Sequence, residues 1–122
     1  MSKILLIEDD ADQIMMYQAK FELSGHDFLA AENGLEGLKK AKQEKPDIIL
    51  IDLLMEKMGG LEVLEKLKKE EKTKDIPAIV VTNLNKQEMA KKAMNLGALD
   101  FIVKSKIPLR EMMARIERFL DK

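Results

Sequence analysis

Cysteine is absent from this chain of 122 residues, and so is tryptophan. Without cysteine there is no disulfide, no thiolate metal site and no thiol nucleophile. A single histidine excludes a multi-histidine zinc site. Aromatic residues make up only 4%, too few to build stacking platforms for single-stranded nucleic acid. An excess of charge of one sign is also missing. The 21 basic and 22 acidic side chains leave a net charge of -1, which gives no electrostatic case for nucleic acid or an anionic membrane as main partner. No apolar run approaches the roughly 20 residues that span a bilayer. The first apolar run, Ile4 to Ile7, is short for a signal peptide and meets Glu8, Asp9 and Asp10 at once. The cytoplasm is the expected compartment.

What is present points to one globular domain over residues 1–122, with 46% apolar and 35% charged residues and no linker, repeat or low-complexity segment. The chain is organised around Ile48-Ile49-Leu50-Ile51, an unbroken apolar run ended by Asp52. A run this short suits a strand buried on both faces, as in a parallel sheet. Ile4-Leu5-Leu6-Ile7 before Glu8, and Ala78-Ile79-Val80-Val81 before Thr82, repeat the pattern. Two weaker strands are expected at Asp27 to Ala31, an edge candidate, and at Asp100 to Val103, which ends at Lys104.

Helical periodicity fills the intervals. Asp12 to Leu23 places Ile14, Tyr17 and Phe21 on one face, with Asp10 or Asp12 as cap and Ser24-Gly25 as stop. The helix after the Asn33-Gly34 turn puts Leu35, Leu38 and Ala41 inward and stops near Glu44, before Lys45-Pro46-Asp47. Gly60 to Glu70 carries Leu61, Leu64 and Leu67 on one face. Asn85-Lys86-Gln87-Glu88 has the spacing of a capping box and opens a helix with Met89, Ala93, Met94 and Leu96, ended by Gly97. Pro108 suits the first turn of a last helix with Leu109, Met112, Met113, Ile116, Phe119 and Leu120 as its inner stripe. Strand and helix thus alternate five times, which predicts a doubly wound α/β fold with helices on both faces of a five-stranded parallel sheet.

In such a sheet Glu8-Asp9, Asp52, Thr82 and Lys104 share the carboxyl edge, where ligands bind. Two carboxylates about 4 Å apart repel by roughly 4 kcal/mol at an effective dielectric of 20. Glu8, Asp9 and Asp52 together therefore call for a cation, and oxygen-only donors favour Mg²⁺. Asp52 is the candidate nucleophile of phosphoryl transfer, with Thr82 and Lys104 as partners for the transferred group. Taken singly, acids after a strand also read as a solvated cap, Thr82 as a strand residue, Lys104 as a surface charge and Phe101 as a packing residue. His26 reads as surface. Most of the nine methionines read as core filler, with Met55 and Met58 on a loop as candidate partner contacts. The run Lys66 to Lys74 reads as a solvated face.

These residues in this order resemble the receiver domain of two-component response regulators: Glu8-Asp9-Asp10, Asp52, Met55…Met58-Gly59-Gly60, Val80-Val81-Thr82, Gly97-Ala98, Phe101 and Lys104. The resemblance covers the whole chain. It implies the flavodoxin-like strand order 2-1-3-4-5. It also implies that Asp52 accepts a phosphoryl group from a histidine kinase or phosphotransfer protein. Glu8, Asp9, Asp52 and the carbonyl of Leu54 would hold Mg²⁺, and Asp9 would be a direct ligand. Thr82 and Lys104 would bind the phosphoryl group, and Thr82 with Phe101 would form the switch. The fourth helix, last strand and last helix would meet a downstream protein. A stand-alone monomer or weak dimer without an output domain is expected.

Several positions depart from the family. Glu56 replaces a usual proline and Gly59 an often-found aspartate, so the loop is expected to be looser. Ser105 replaces the proline after Lys104, and the preceding bond is expected to be trans, because cis before a non-proline costs about 2.5–4 kcal/mol. Asn83 stands where a small residue is usual and is expected to narrow access. Leu54 and Leu84 cannot orient a hydrolytic water, so a long-lived phosphoryl-aspartate is expected. The alternatives are a degenerate receiver acting as a phosphorylation-independent interaction module, a flavodoxin-like electron carrier, and an aspartate-dependent phosphatase. The acids at 8–10 would repel a flavin phosphate. Leu54 stands where such a phosphatase usually has a second acid.

Overall fold

A computed structural model describes residues 2–120. Five strands, β1 (Lys3–Ile7), β2 (Asp27–Ala31), β3 (Ile48–Ile51), β4 (Ala78–Thr82) and β5 (Asp100–Val103), alternate with five helices. These are α1 (Ala11–Leu23), α2 (Gly34–Glu44), α3 (Gly60–Lys69), α4 (Gln87–Asn95) and α5 (Leu109–Leu120). All pairings are parallel and the order is β2-β1-β3-β4-β5, as expected.

The pleat divides the strand residues between two cores. Leu5, Ile7, Ile49, Ile51, Ala78 and Val80 meet Ala41 of α2, Val63, Leu64 and Leu67 of α3, and Ala93 of α4. Ile4, Leu6, Ile48, Leu50, Ile79, Val81 and Ile102 meet Tyr17 and Phe21 of α1 and Met112 and Ile116 of α5. Fully burying a leucine or isoleucine side chain contributes about 1.5–3 kcal/mol. The three central strands are covered on both faces, which is why their apolar runs are unbroken.

Several local expectations are corrected. Leu35 is 72% exposed, not inward. The inner line of α2 begins with Gly34 and Gly37, because the helix lies so close to β1 that a Cβ on Gly37 would sit 2.5 Å from Ile7 Cδ1. Asn85 does not cap α4. The helix starts one residue later, on Lys86, with no side-chain cap bond. Met94 is 46% exposed while its neighbour Ala93 is buried, and Met89 and Leu96 pack partly against the core. His26 is not a free surface residue: its Nδ1 accepts from Ser2 N–H at 3.2 Å and its Nε2 lies 2.7 Å from Glu117 Oε1. Among the described methionines only Met112 is fully in the core, whereas Met15 and Met16 of α1 are exposed. The expected stops hold at Gly25 and Gly97, whose φ of 87° and 107° no β-carbon residue adopts cheaply.

Candidate functional site

Four strand ends meet at the carboxyl edge of the sheet. The backbone first locks the two acidic ends in register, with Glu8 N–H donating to Ala31 O and Asp52 N–H to Ile7 O. Glu8 and Asp52 are nevertheless buried, at 1% and 5% exposure, whereas Asp9 is exposed. Asp52 turns the chain after β3, because its Oδ1 accepts from Leu54 N–H at 3.0 Å. Leu53 O then accepts from both Met55 and Gly60, folding the loop back to the start of α3.

Lys104 reaches in from the far side. Its Nζ donates to Asp52 Oδ2 at 3.1 Å, to Glu8 Oε1 at 2.9 Å and to Gln13 Oε1. The Lys104–Ser105 bond is trans, as expected, and a 3₁₀ turn, Lys104–Lys106, follows β5. Thr82 is fully buried, and its Oγ1 accepts from Leu84 N–H at 3.2 Å, which leaves its proton to face Asp52. Phe101 lies half-buried against the core on the α2–α4 side, in the packing role its place on β5 suggests.

Burial, with nearby Asp52 adding to it and Lys104 opposing both, leaves the Glu8 carboxyl pushed up to about 7. Burial also pushes Asp52 up, but the Leu54 N–H, Glu8, Lys104 and Thr82 outweigh it and hold Asp52 below its usual value. The site thus carries one stabilised anion beside one that resists ionising. An extra positive charge suits that imbalance, and the donors are all oxygen, which matches a hard divalent cation. The ligands are not preassembled, however. Among the described residues no three acids converge on one point. Asp9 Oδ2 accepts from Glu56 N–H at 3.3 Å, and Glu8 is held by Lys104 and by Asp10 N–H.

The Glu8 imbalance has a measurable sign. Its folded pKa lies above the ordinary 4.5, so the folded state keeps a proton that the unfolded state loses. Stability should therefore fall as pH rises from 4.5 to 7. Asp52 contributes in the opposite sense, in a window below its ordinary 3.8, and is constant across this range. In chelator at pH 7.5, Glu8→Gln is expected to stabilise the fold by about 1–3 kcal/mol and to flatten that slope. Thermal melts across the range check this; a less stable variant with an unchanged slope would refute it.

The structure brings Glu8, Asp52, Thr82 and Lys104 together, with Asp9 at the rim and Leu54 joined to Asp52 through its amide. Gln13 is an addition that the sequence reading lacks. The signal available was its position one turn before the inward-facing Tyr17, on the helix that starts from the acidic loop. Around Gln13, Tyr17, Asn83 and Lys104 lies an open pocket of about 180 Å³, lined also by Met16, Ile107, Leu109 and Met112.

Comparison with known proteins gives matches of sequence and of fold. Residues 4–117 match the model of the response regulator receiver domain. The chain is 35% identical over 104 residues to Protein PilH of Pseudomonas aeruginosa, covering 85% of this chain and 86% of PilH. It is 32% identical over 120 residues to the DNA-binding dual master transcriptional regulator RpaA of Synechocystis, covering 98% of this chain and 49% of RpaA. The chain thus spans about half the length of RpaA and most of PilH. Among solved structures, a CheY-like receiver domain protein of Methanospirillum hungatei superposes with a TM-score of 0.90 at 28% identity, covering 99% of this chain and 94% of that one.

Proposed function

The chain belongs to the response regulator receiver family of two-component signalling, and on that footing we propose that Asp52 accepts a phosphoryl group from a phosphohistidine of a kinase or phosphotransfer protein. The observation that carries this reading is the Lys104 ammonium 3.1 Å from Oδ2 of a buried carboxylate at the end of the central strand. An Asp52 oxygen attacks phosphorus as the P–N bond breaks, and the electron pair leaves with the imidazole nitrogen. An acyl phosphate forms. Lys104 meets the charge spread over the phosphoryl oxygens, and the Thr82 hydroxyl donates to one of them. Burial of the strand ends excludes bulk water from the carboxylate. Glu8, Asp9, Asp52 and the Leu54 carbonyl would hold Mg²⁺, which would supply further positive charge at the transferring group.

Engagement of Thr82 and Lys104 by the phosphoryl group shifts Phe101 and, with it, the surface of α4, β5 and α5. Exposed Met94 and Leu99 on that side offer apolar contact to a protein target. The working form is a cytoplasmic monomer or weak dimer that acts on proteins, not directly on nucleic acid. Among the described residues no helix is long and apolar enough to cross a membrane. A second reading, an interaction module that works without phosphorylation, draws on the missing preassembled acid cluster among the described residues.

Intact mass after incubation with a small acyl phosphate separates the two. One added phosphoryl group with Mg²⁺, and none with chelator, is the expected result. No addition to folded protein from donors of differing chemistry would favour the interaction module. Leu54 and Leu84 beside the site predict a label that outlasts seconds, and decay within seconds would contradict that lifetime.

A further inference from the structure

We propose that Gln13 is a positioning residue that holds the Lys104 ammonium against Asp52 before the phosphoryl group arrives. This rests on the phosphoacceptor reading of Asp52. An ammonium has three N–H donors. Those of Lys104 go to Glu8 Oε1, Asp52 Oδ2 and Gln13 Oε1. The Asp52 carboxylate loses its charge when it becomes an acyl phosphate, so the N–H it held turns to an anionic phosphoryl oxygen. The bonds to Glu8 and Gln13 stay and keep the ammonium in place.

Gln13 is also well placed to hold the cation beforehand. Lysine is a point charge on a flexible four-carbon stem. Its backbone here opens a 3₁₀ turn whose next two residues, Ser105 and Lys106, are exposed. Gln13, by contrast, stands on a capped helix. Asp10 Oδ1 accepts from Asp12 N–H and Gln13 N–H, and Asp10 N–H donates to Glu8 Oε2. The bonds close a ring from Glu8 through Asp10 and Gln13 to Lys104 and back to Glu8.

The test uses the ¹⁵N-labelled chain, a small acyl phosphate and Mg²⁺. In Lys104→Met the Gln13 side-chain amide resonances are expected to lie away from their wild-type position. In Gln13→Met the phosphorylation rate at saturating donor is expected to fall roughly tenfold, the scale of a misplaced catalytic group, with the half-saturating donor concentration unchanged. A merely structural role would not separate those two constants. Gln13 amide resonances unmoved by Lys104→Met, or Gln13→Met phosphorylated at the wild-type rate, overturns the proposal. Should wild type take no phosphoryl group while Lys104→Met still shifts the Gln13 amide, the reading of Asp52 fails and the positioning contact stands.

Discussion

Asp52→Asn is expected to take up no phosphoryl group under conditions that label the wild type, a loss of at least about 10³-fold. The argument is chemical before it is structural. An amide oxygen is a poor nucleophile, and among the described residues no other buried carboxylate is free to replace it. Glu8 has both oxygens engaged, by Lys104 and by Asp10 N–H, and Asp9 is an exposed residue bonded to the loop amide of Glu56. The fold should survive. The introduced amide keeps an oxygen that can accept from Leu54 N–H, while Lys104 keeps Glu8 and Gln13. The lost Lys104 pair destabilises, and the relief of Glu8 from a neighbouring anion offsets it. A second readout follows from that relief: the decline in stability between pH 4.5 and 7 should shrink in Asp52→Asn. Intact mass, peptide mapping and pH-dependent melts check both parts. Label mapped to Glu8 or Asp9 in the variant would displace Asp52 from its assigned role.

Gly60→Ala is expected to cost about 3–5 kcal/mol, a fall in melting temperature of roughly 10–20 °C. A Cβ built on Gly60 would stand 2.4 Å from Asp52 O and 2.7 Å from Leu53 Cα. Both are backbone atoms at the end of a buried strand, so no rotamer change relieves the overlap. The first turn of α3 has to lift away, and with it the bond from Gly60 N–H to Leu53 O that closes the loop after Asp52. Gly59 is the control. It is the N-cap of α3, with φ -65° and no atom within 4 Å of a Cβ built there. Gly59→Ser should be neutral or stabilising by a few tenths of a kcal/mol, since serine can supply the missing cap bond. Equal melting temperatures for Gly60→Ala and Gly59→Ser would contradict the close approach.

The central strands were legible because burial on both faces leaves an unbroken apolar signature, and each ended at the expected polar residue. Their convergence was legible too, since parallel topology carries strand ends to one edge whatever the sequence distance. Partners that depend on side-chain reach were not legible. Nothing in the order of residues says that Lys104 meets Gln13, or that His26 bridges Ser2 and Glu117. Leu35 looked inward because helical periodicity favours large apolar residues. Close packing on Ile7 instead gave the inner line to glycine. Asn85 carried a good local motif that the helix does not use.

The register of the sheet bears on how the protein comes into being. Ile4 lies beside Ile48, Ile49 beside Ala78 and Ile79 beside Asp100, so these ladders join segments far apart along the chain. Such ladders form slowly, because loop closure has to precede the contacts that reward it. Pairing β1 with β3 sets Glu8 and Asp52 side by side before β5 has delivered Lys104. Two acids then share a drying interface without their counter-charge, and refolding by that route should quicken as the medium turns mildly acidic.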